Sequence, residues 1–236
     1  MTGLCGSAAN GIFSVAYKIP SLMMVFQTIF NQAWTISAVK SQEDGKDDFY
    51  SRVYSVYNLG FVILCSCIIL SNKVVAKFLF SNDFYEAWKF APFLIITVIF
   101  NSLAGLLGGI LVARKKTNLI ATTTMSGAIV NLILNLILVG ILGPLGAAIG
   151  SLVSYIVVWG CRLYKTIKLG EISVKIKDNI LSYIILVIQA TFMLIIKEPI
   201  VMYVSQVVCL LIIIMLYLKD IVRMIYQMRA LVASKR

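Results

Sequence analysis

Apolar residues run through this chain in long blocks separated by short polar connections. A helix needs roughly 20 mostly apolar residues to cross a bilayer's hydrocarbon core. Seven blocks reach that length, at about 10–38, 53–71, 89–112, 118–141, 144–163, 180–196 and 200–218. The pattern predicts an all-α, polytopic helical membrane protein with about seven transmembrane helices. The first block is too long for one straight span and carries Lys18, Pro20, Gln27, Asn31 and Gln32, which predicts a helix kinked near Pro20. Residues 72–88 read as a short interfacial helix with Val74, Val75, Phe78 and Leu79 toward lipid. Tyr85 and Trp88 then anchor the next span among headgroups. In the fifth span Gly146, Gly150 and Ser154 form a small-xxx-small packing face behind Pro144.

Composition narrows the chemistry. The 236 residues are 60% hydrophobic and 13% charged, far more apolar than a soluble core can hide. With no histidine in the chain, histidine-ligated zinc and a Ser-His-Asp triad are excluded. Cys65 and Cys67 point to different helix faces, and none of the five cysteines has metal-binding spacing. No span core holds Asp or Glu, so this stretch offers no carboxylate relay for protons or sodium. Neither a cofactor nor a metal is expected, and the chain reads as no enzyme.

The formal charge of +11 comes from 21 Lys and Arg against ten Asp and Glu. The basic residues are scattered between apolar runs, which argues against a nucleic-acid partner. Alternate connections hold most of them: Lys40, Lys46 and Arg52; Arg114, Lys115 and Lys116; Arg162, Lys165, Lys168, Lys175 and Lys177; Lys219, Arg223, Arg229, Lys235 and Arg236. Only Lys18, Lys73, Lys77, Lys89 and Lys197 fall on the other side or inside a span. The positive-inside rule therefore puts the C-terminus in the cytoplasm and the first span's start outside. Nothing before Ala9 reads as a signal sequence, so residues 1–9 are expected to be an extracytoplasmic loop remnant, with further helices upstream. The cytoplasmic stretch 162–179 mixes Lys with Leu, Ile and Val and is expected to lie on anionic lipid.

Polar residues inside the spans are the candidate site. On a helical wheel Ser14, Tyr17, Ser21, Thr28, Gln32 and Thr35 share one arc, flanked by Asn31 and Lys18. Counted from Ala9, Lys18 lies about 14 Å deep, near the middle of the bilayer. It reads first as a cation lining a hydrated cavity for an anionic substrate; the alternative is a lysine snorkelling to the interface or pairing with a carboxylate elsewhere. Asn131 and Asn135 lie one turn apart on the fourth span, and Asn101 aligns with Gly105 and Gly109 on the third. These amides suit a sugar-binding cavity, although hydrogen bonding between helices is the stronger reading for them.

Several runs, in order, resemble the lipid-linked polysaccharide flippases that export O-antigen and capsule: Gly11-Ile-Phe-Ser-Val-Ala-Tyr-Lys-Ile-Pro20, Ile29-Phe-Asn-Gln-Ala-Trp34 and Asp83-Phe-Tyr-Glu-Ala-Trp-Lys-Phe-Ala-Pro-Phe-Leu94. Lys116-Thr-Asn118 leading to Asn131-Leu-Ile-Leu-Asn135, and Gly143-Pro-Leu-Gly-Ala-Ala-Ile-Gly150, extend the resemblance over most of residues 10–165. The resemblance implies a superfamily shared with multidrug exporters and the lipid II flippase, built as two helical bundles around a central cavity that work by alternating access. On that footing residues 10–165 are five helices of the second bundle. Residues 166–218 are a cytoplasmic linker with two C-terminal helices, and 219–236 are a basic cytoplasmic tail. The first bundle is the missing partner.

The implied function is translocation of undecaprenyl-diphosphate-linked oligosaccharide across the bacterial cytoplasmic (inner) membrane, with membrane lipid as the other partner. Lys18 would meet the diphosphate or an acidic sugar. Tyr17, Asn31, Gln32, Asn101, Asn131 and Asn135 would bind hydroxyls. The rivals are a multidrug or small-solute antiporter of the same superfamily and a membrane enzyme of glycan assembly. The enzyme is disfavoured by the short outside loop, whose only acids are Asp83 and Glu86.

Overall fold

A computed structural model describes residues 10–43, 49–80, 82–174 and 176–223. The expected loop remnant 1–9, and the tail beyond residue 223, lie outside the described residues. A bent pair, α1 (Asn10–Ala16) and α2 (Lys18–Glu43), opens the fold. Then come α3 (Phe49–Leu79), a 3-10 helix (Asn82–Lys89), α4 (Ala91–Ala113), α5 (Thr117–Leu142), α6 (Pro144–Lys168), α7 (Ile176–Ile195) and α8 (Pro199–Leu216). No strand occurs among the described residues. Among the described residues six helices are long and apolar enough to cross a membrane, or seven if the bent pair is one span, and the chain is a multi-pass, all-α membrane protein.

The kink falls at Tyr17, three residues ahead of Pro20, and bends the pair by 43°. Pro20 supplies no N–H for the carbonyl of Ala16, and its ring crowds that carbonyl. The chain answers by starting a new helix at Lys18. Pro20 then occupies the first turn, where its missing donor costs nothing.

Helix α4 is the hub. In its membrane-length window 83% of residues are buried, against 11% for the peripheral α5. It is apolar on every side, with Leu94, Ile95, Ile96, Ile99, Leu103, Leu106, Leu107 and Ile110 all inaccessible, so it has no face to offer lipid. Helices α2, α3 and α6 surround it. Its small residues form two rows one position apart. Gly105 and Gly109 admit Asn31 and Trp34 of α2, and the Trp34 indole donates to the Leu106 carbonyl at 2.8 Å. Ala104 and Gly108 admit Arg162 of α6.

Helices α5 and α6 form a hairpin joined through Gly143, whose φ of 58° and ψ of −136° lie where only glycine is unstrained. The expected small-residue face of α6 is the seam. Gly146 sits against the Leu138 backbone, and Asn131 donates to the Ser154 hydroxyl at 3.2 Å. On the opposite side α7 and α8 are held to α3 by buried polar layers, the deeper of which has Ser66 donating to Gln189 (2.9 Å) and Gln206 donating to the Gln189 carbonyl (3.0 Å).

Two connections differ from expectation. α3 runs on to Leu79 instead of ending near residue 71, because Asn72 is buried with its amide N–H donating to the Trp88 carbonyl at 2.9 Å. Lys73 lies 4.3 Å over the Trp88 ring. Val74, Phe78 and Leu79 are exposed as foreseen, whereas Val75 is half-buried. The second is the stretch after α6, part of which docks on the bundle rather than lying free on lipid. Glu171 pairs with Arg114 at the end of α4, Ile172 is buried, and the Ser173 amide donates to the Ser51 hydroxyl.

The α5–α6 seam is testable by helix-matched substitutions. Gly146→Ala drives a methyl into the Leu138 carbonyl and is expected to cost about 1–3 kcal/mol, whereas Gly160→Ala, with nothing within 4 Å, is not destabilising. Thermal melts of the two purified proteins in one detergent check this; equal midpoints would mean the seam is looser than described.

Candidate functional site

The polar residues of the first span form one wall of a cleft. The Tyr17 hydroxyl faces Ser151 and Tyr155 of α6, whereas Phe30 packs on Tyr57 of α3 with ring centroids 4.2 Å apart and planes tilted by 30°. Those two contacts fix the rotation of α2. The arc of Ser14, Tyr17, Ser21, Thr28, Gln32 and Thr35 turns toward the α5–α6 hairpin, and its aromatic side turns toward α3. Asn101 of α4 lies in the floor, its amide 3.5 Å from the buried Gln27 side chain. The hairpin is the second wall.

Two adjoining cavities lie on the hairpin side, lined by α1, α4, α5 and α6 rather than by α2, and share Ser151. The first, of about 400 Å³, is lined by Asn101, Thr124, Asn131, Ser154, Tyr155 and Arg162 among others. The second, of about 390 Å³, lies between α1 and the hairpin and is lined by Asn10, Phe13, Asn135 and Ser151 among others. Asn135 donates to both the carbonyl and the amide oxygen of Asn131, at 2.8 and 2.9 Å. The paired asparagines thus do what helix-to-helix hydrogen bonding requires and still border the cavities.

The candidates separate into three groups. Tyr17, Asn101, Asn131 and Asn135 are half-buried around the cavities. Lys18 and Gln32 are exposed on α2. Asn31 packs on Gly105 in the α2–α4 seam, and its amide oxygen is buried without a hydrogen-bond partner among the described residues. Lys18 can be placed against α4 by the neighbours of α2. Gln27 lies beside Asn101 and Asn31 beside Gly105, a register that places Lys18 level with Pro92 at the start of α4.

Arg162 was missed by its neighbours in sequence. Grouped with Lys165 and Lys168, it reads as part of a basic connection, yet α6 continues to Lys168 and carries it into the bundle, 92% buried. Its Nε donates to the Thr123 hydroxyl (3.1 Å), one Nη to the Ala104 carbonyl (2.7 Å) and the other to the Thr124 hydroxyl (2.8 Å). A weaker contact of 3.5 Å reaches the Ile120 carbonyl. The signal that could have found it is the Thr122-Thr123-Thr124 run on α5, three hydroxyls in a span with little else polar nearby.

No protein-family model matches the chain, and no curated protein matches it. Among solved structures it is similar to the lipid II flippase MurJ in an inward closed conformation, with a TM-score of 0.63 at 14% identity. The alignment covers 90% of this chain and 48% of that one. The chain shares that fold. It spans about half the length of the flippase, and at this identity the likeness is one of architecture.

A hydrated cleft is accessible to water-borne reagents, and this can be read in membranes. In a background without its native cysteines, Thr28→Cys, Asn131→Cys and Ser151→Cys are expected to react with a membrane-impermeant maleimide. Ile133→Cys and Ile137→Cys, on the exposed apolar side of α5, are expected to stay unlabelled. Uniform protection of all five positions would mean a dry cleft.

Proposed function

We propose that this chain forms half of a flippase that moves lipid-linked oligosaccharides, their diphosphate included, across the bacterial cytoplasmic membrane for surface polysaccharide assembly. The observation that carries the reading is the cavity between α4, α5 and α6, lined by hydroxyls, amides and a guanidinium, in a helical fold shared with MurJ. A sugar chain and a diphosphate need a hydrated passage, whereas a polyprenyl tail is at home in lipid. A cleft open along one side lets the head travel inside and the tail outside.

In this reading Lys18 meets the anionic linkage or an acidic sugar at one end of the cleft. Tyr17, Asn101, Asn131 and Asn135 exchange hydrogen bonds with hydroxyls, Gln32 serves the exposed rim, and the unbonded amide oxygen of Asn31 lies behind them. Residues 10–165 make the substrate-facing bundle. Helices α7 and α8, after the linker, support it from behind α3, and the basic tail from 219 lies in the cytoplasm. A second helical bundle completes the cleft, because a polar wall facing lipid would be costly. No bond is made or broken in the substrate.

Complementation tests the reading. The complete gene is expected to restore surface polysaccharide in cells lacking their own repeat-unit flippase, and Lys18→Ala to reduce export by about tenfold, the worth of one good charge contact. Drug efflux without polysaccharide export would point instead to a small-solute antiporter, and full export by the Lys18→Ala protein would remove the anion contact.

A further inference from the structure

Arg162 has an unbalanced charge. Its hydrogen bonds are well made, but every acceptor is neutral: two backbone carbonyls and two threonine hydroxyls. It takes no part in the ion pairs of Lys89 with Glu86 and Arg114 with Glu171. No carboxylate lines the cavity it borders. A guanidinium inside a membrane protein is stable when an anion or water balances it. The fork of bonds to α4 and α5 fixes the group in place without neutralising it, as a preorganised anion receptor requires.

We propose that Arg162 is an anion-binding residue of the cleft, receiving a phosphoryl group of the substrate headgroup in the cavity of about 400 Å³. The assignment rests on the lipid-linked substrate reading above and extends it to a residue and a place. The cavity is graded along its length. Arg162 stands at the end toward Arg114 and Lys165, where the basic connections gather, and Asn101, Asn131, Ser151 and Tyr155 follow toward the opposite end. A headgroup entering from the basic side meets the cation first and the sugar-binding amides next. Tyr155 lines the cavity together with Arg162. Arg162 is level with Ala104 and Lys18 with Pro92, so the two cations stand about 18 Å apart along the bundle axis. That is a path with a positive station at each end.

The test uses the purified chain in detergent and inorganic diphosphate, followed by titration calorimetry. Saturable binding is expected. Arg162→Gln should weaken it by at least about tenfold, Arg162→Lys by less because the charge is kept, and exposed Lys165→Gln by less than twofold. Ala128→Phe fills the cavity while leaving the guanidinium untouched, and should abolish binding; this variant decides the matter if Arg162→Gln does not fold. Diphosphate binding that survives both Arg162→Gln and Ala128→Phe, or no saturable binding at all, would overturn the proposal. In zwitterionic nanodiscs undecaprenyl diphosphate should compete with inorganic diphosphate and phosphatidylglycerol should not; equal competition by both would overturn the headgroup assignment. Lost polysaccharide export with intact diphosphate binding would fail the flippase reading alone, and intact export without diphosphate binding would fail the Arg162 assignment alone.

Discussion

A helix buried on every side must let its neighbours come close, and α4 does so through four small residues in two adjacent rows. Gly105 and Gly109 face α2, where the side chains of Asn31 and Trp34 occupy the space a methyl group would take. Ala104 and Gly108 face α6, where the Arg162 guanidinium lies against the backbone. Larger residues in the first row would push α2 outward, and in the second would displace Arg162. The spacing of the cleft walls, the position of Asn101 between them and the seat of the buried cation all depend on this narrowness. Lipid tails are as apolar as leucine side chains, so close packing and directed hydrogen bonds, rather than apolar burial alone, hold such a bundle together.

The same reasoning explains the back of the molecule. Asn58 accepts from Tyr183 at 2.6 Å and donates to Asn179 and Tyr217, each at 3.0 Å, tying α3 to α7 and to the residue that ends α8. Higher up α3, Ser66 and Gln189 exchange hydrogen bonds, and Gln206 reaches the Gln189 carbonyl. Each layer pairs donors with acceptors at one register only. Sliding α7 or α8 by a turn would leave buried amides unpaired in a medium without water to rescue them.

The spans were readable because hydrophobic length is a local property. The limits of α4, α5, α7 and α8 fell within a few residues of expectation. The α6 packing face was also readable, since Gly146, Gly150 and Ser154 recur at helical spacing. What escaped depends on partners distant in sequence. Asn72 looks like a helix terminator until the Trp88 carbonyl is placed beside it. Arg162 looks like a loop charge until Thr123, Thr124 and Ala104 surround it. The polar arc of α2 was legible from the wheel, but which helix it faced was set by the Tyr17 and Phe30 contacts.

The near-isolation of α5 bears on assembly. It touches little besides α6, and the two are joined by a single glycine outside both helices. Contacts between consecutive helices require almost no loop closure, so this pair can zip together as soon as both segments have entered the bilayer. Its attachment to the rest of the bundle runs through α6, which packs along α4 and sets the arginine fork against Ala104, contacts that must await correct docking. One wall of the cleft is therefore a preassembled part, and the step that positions it is the closing of a charged latch.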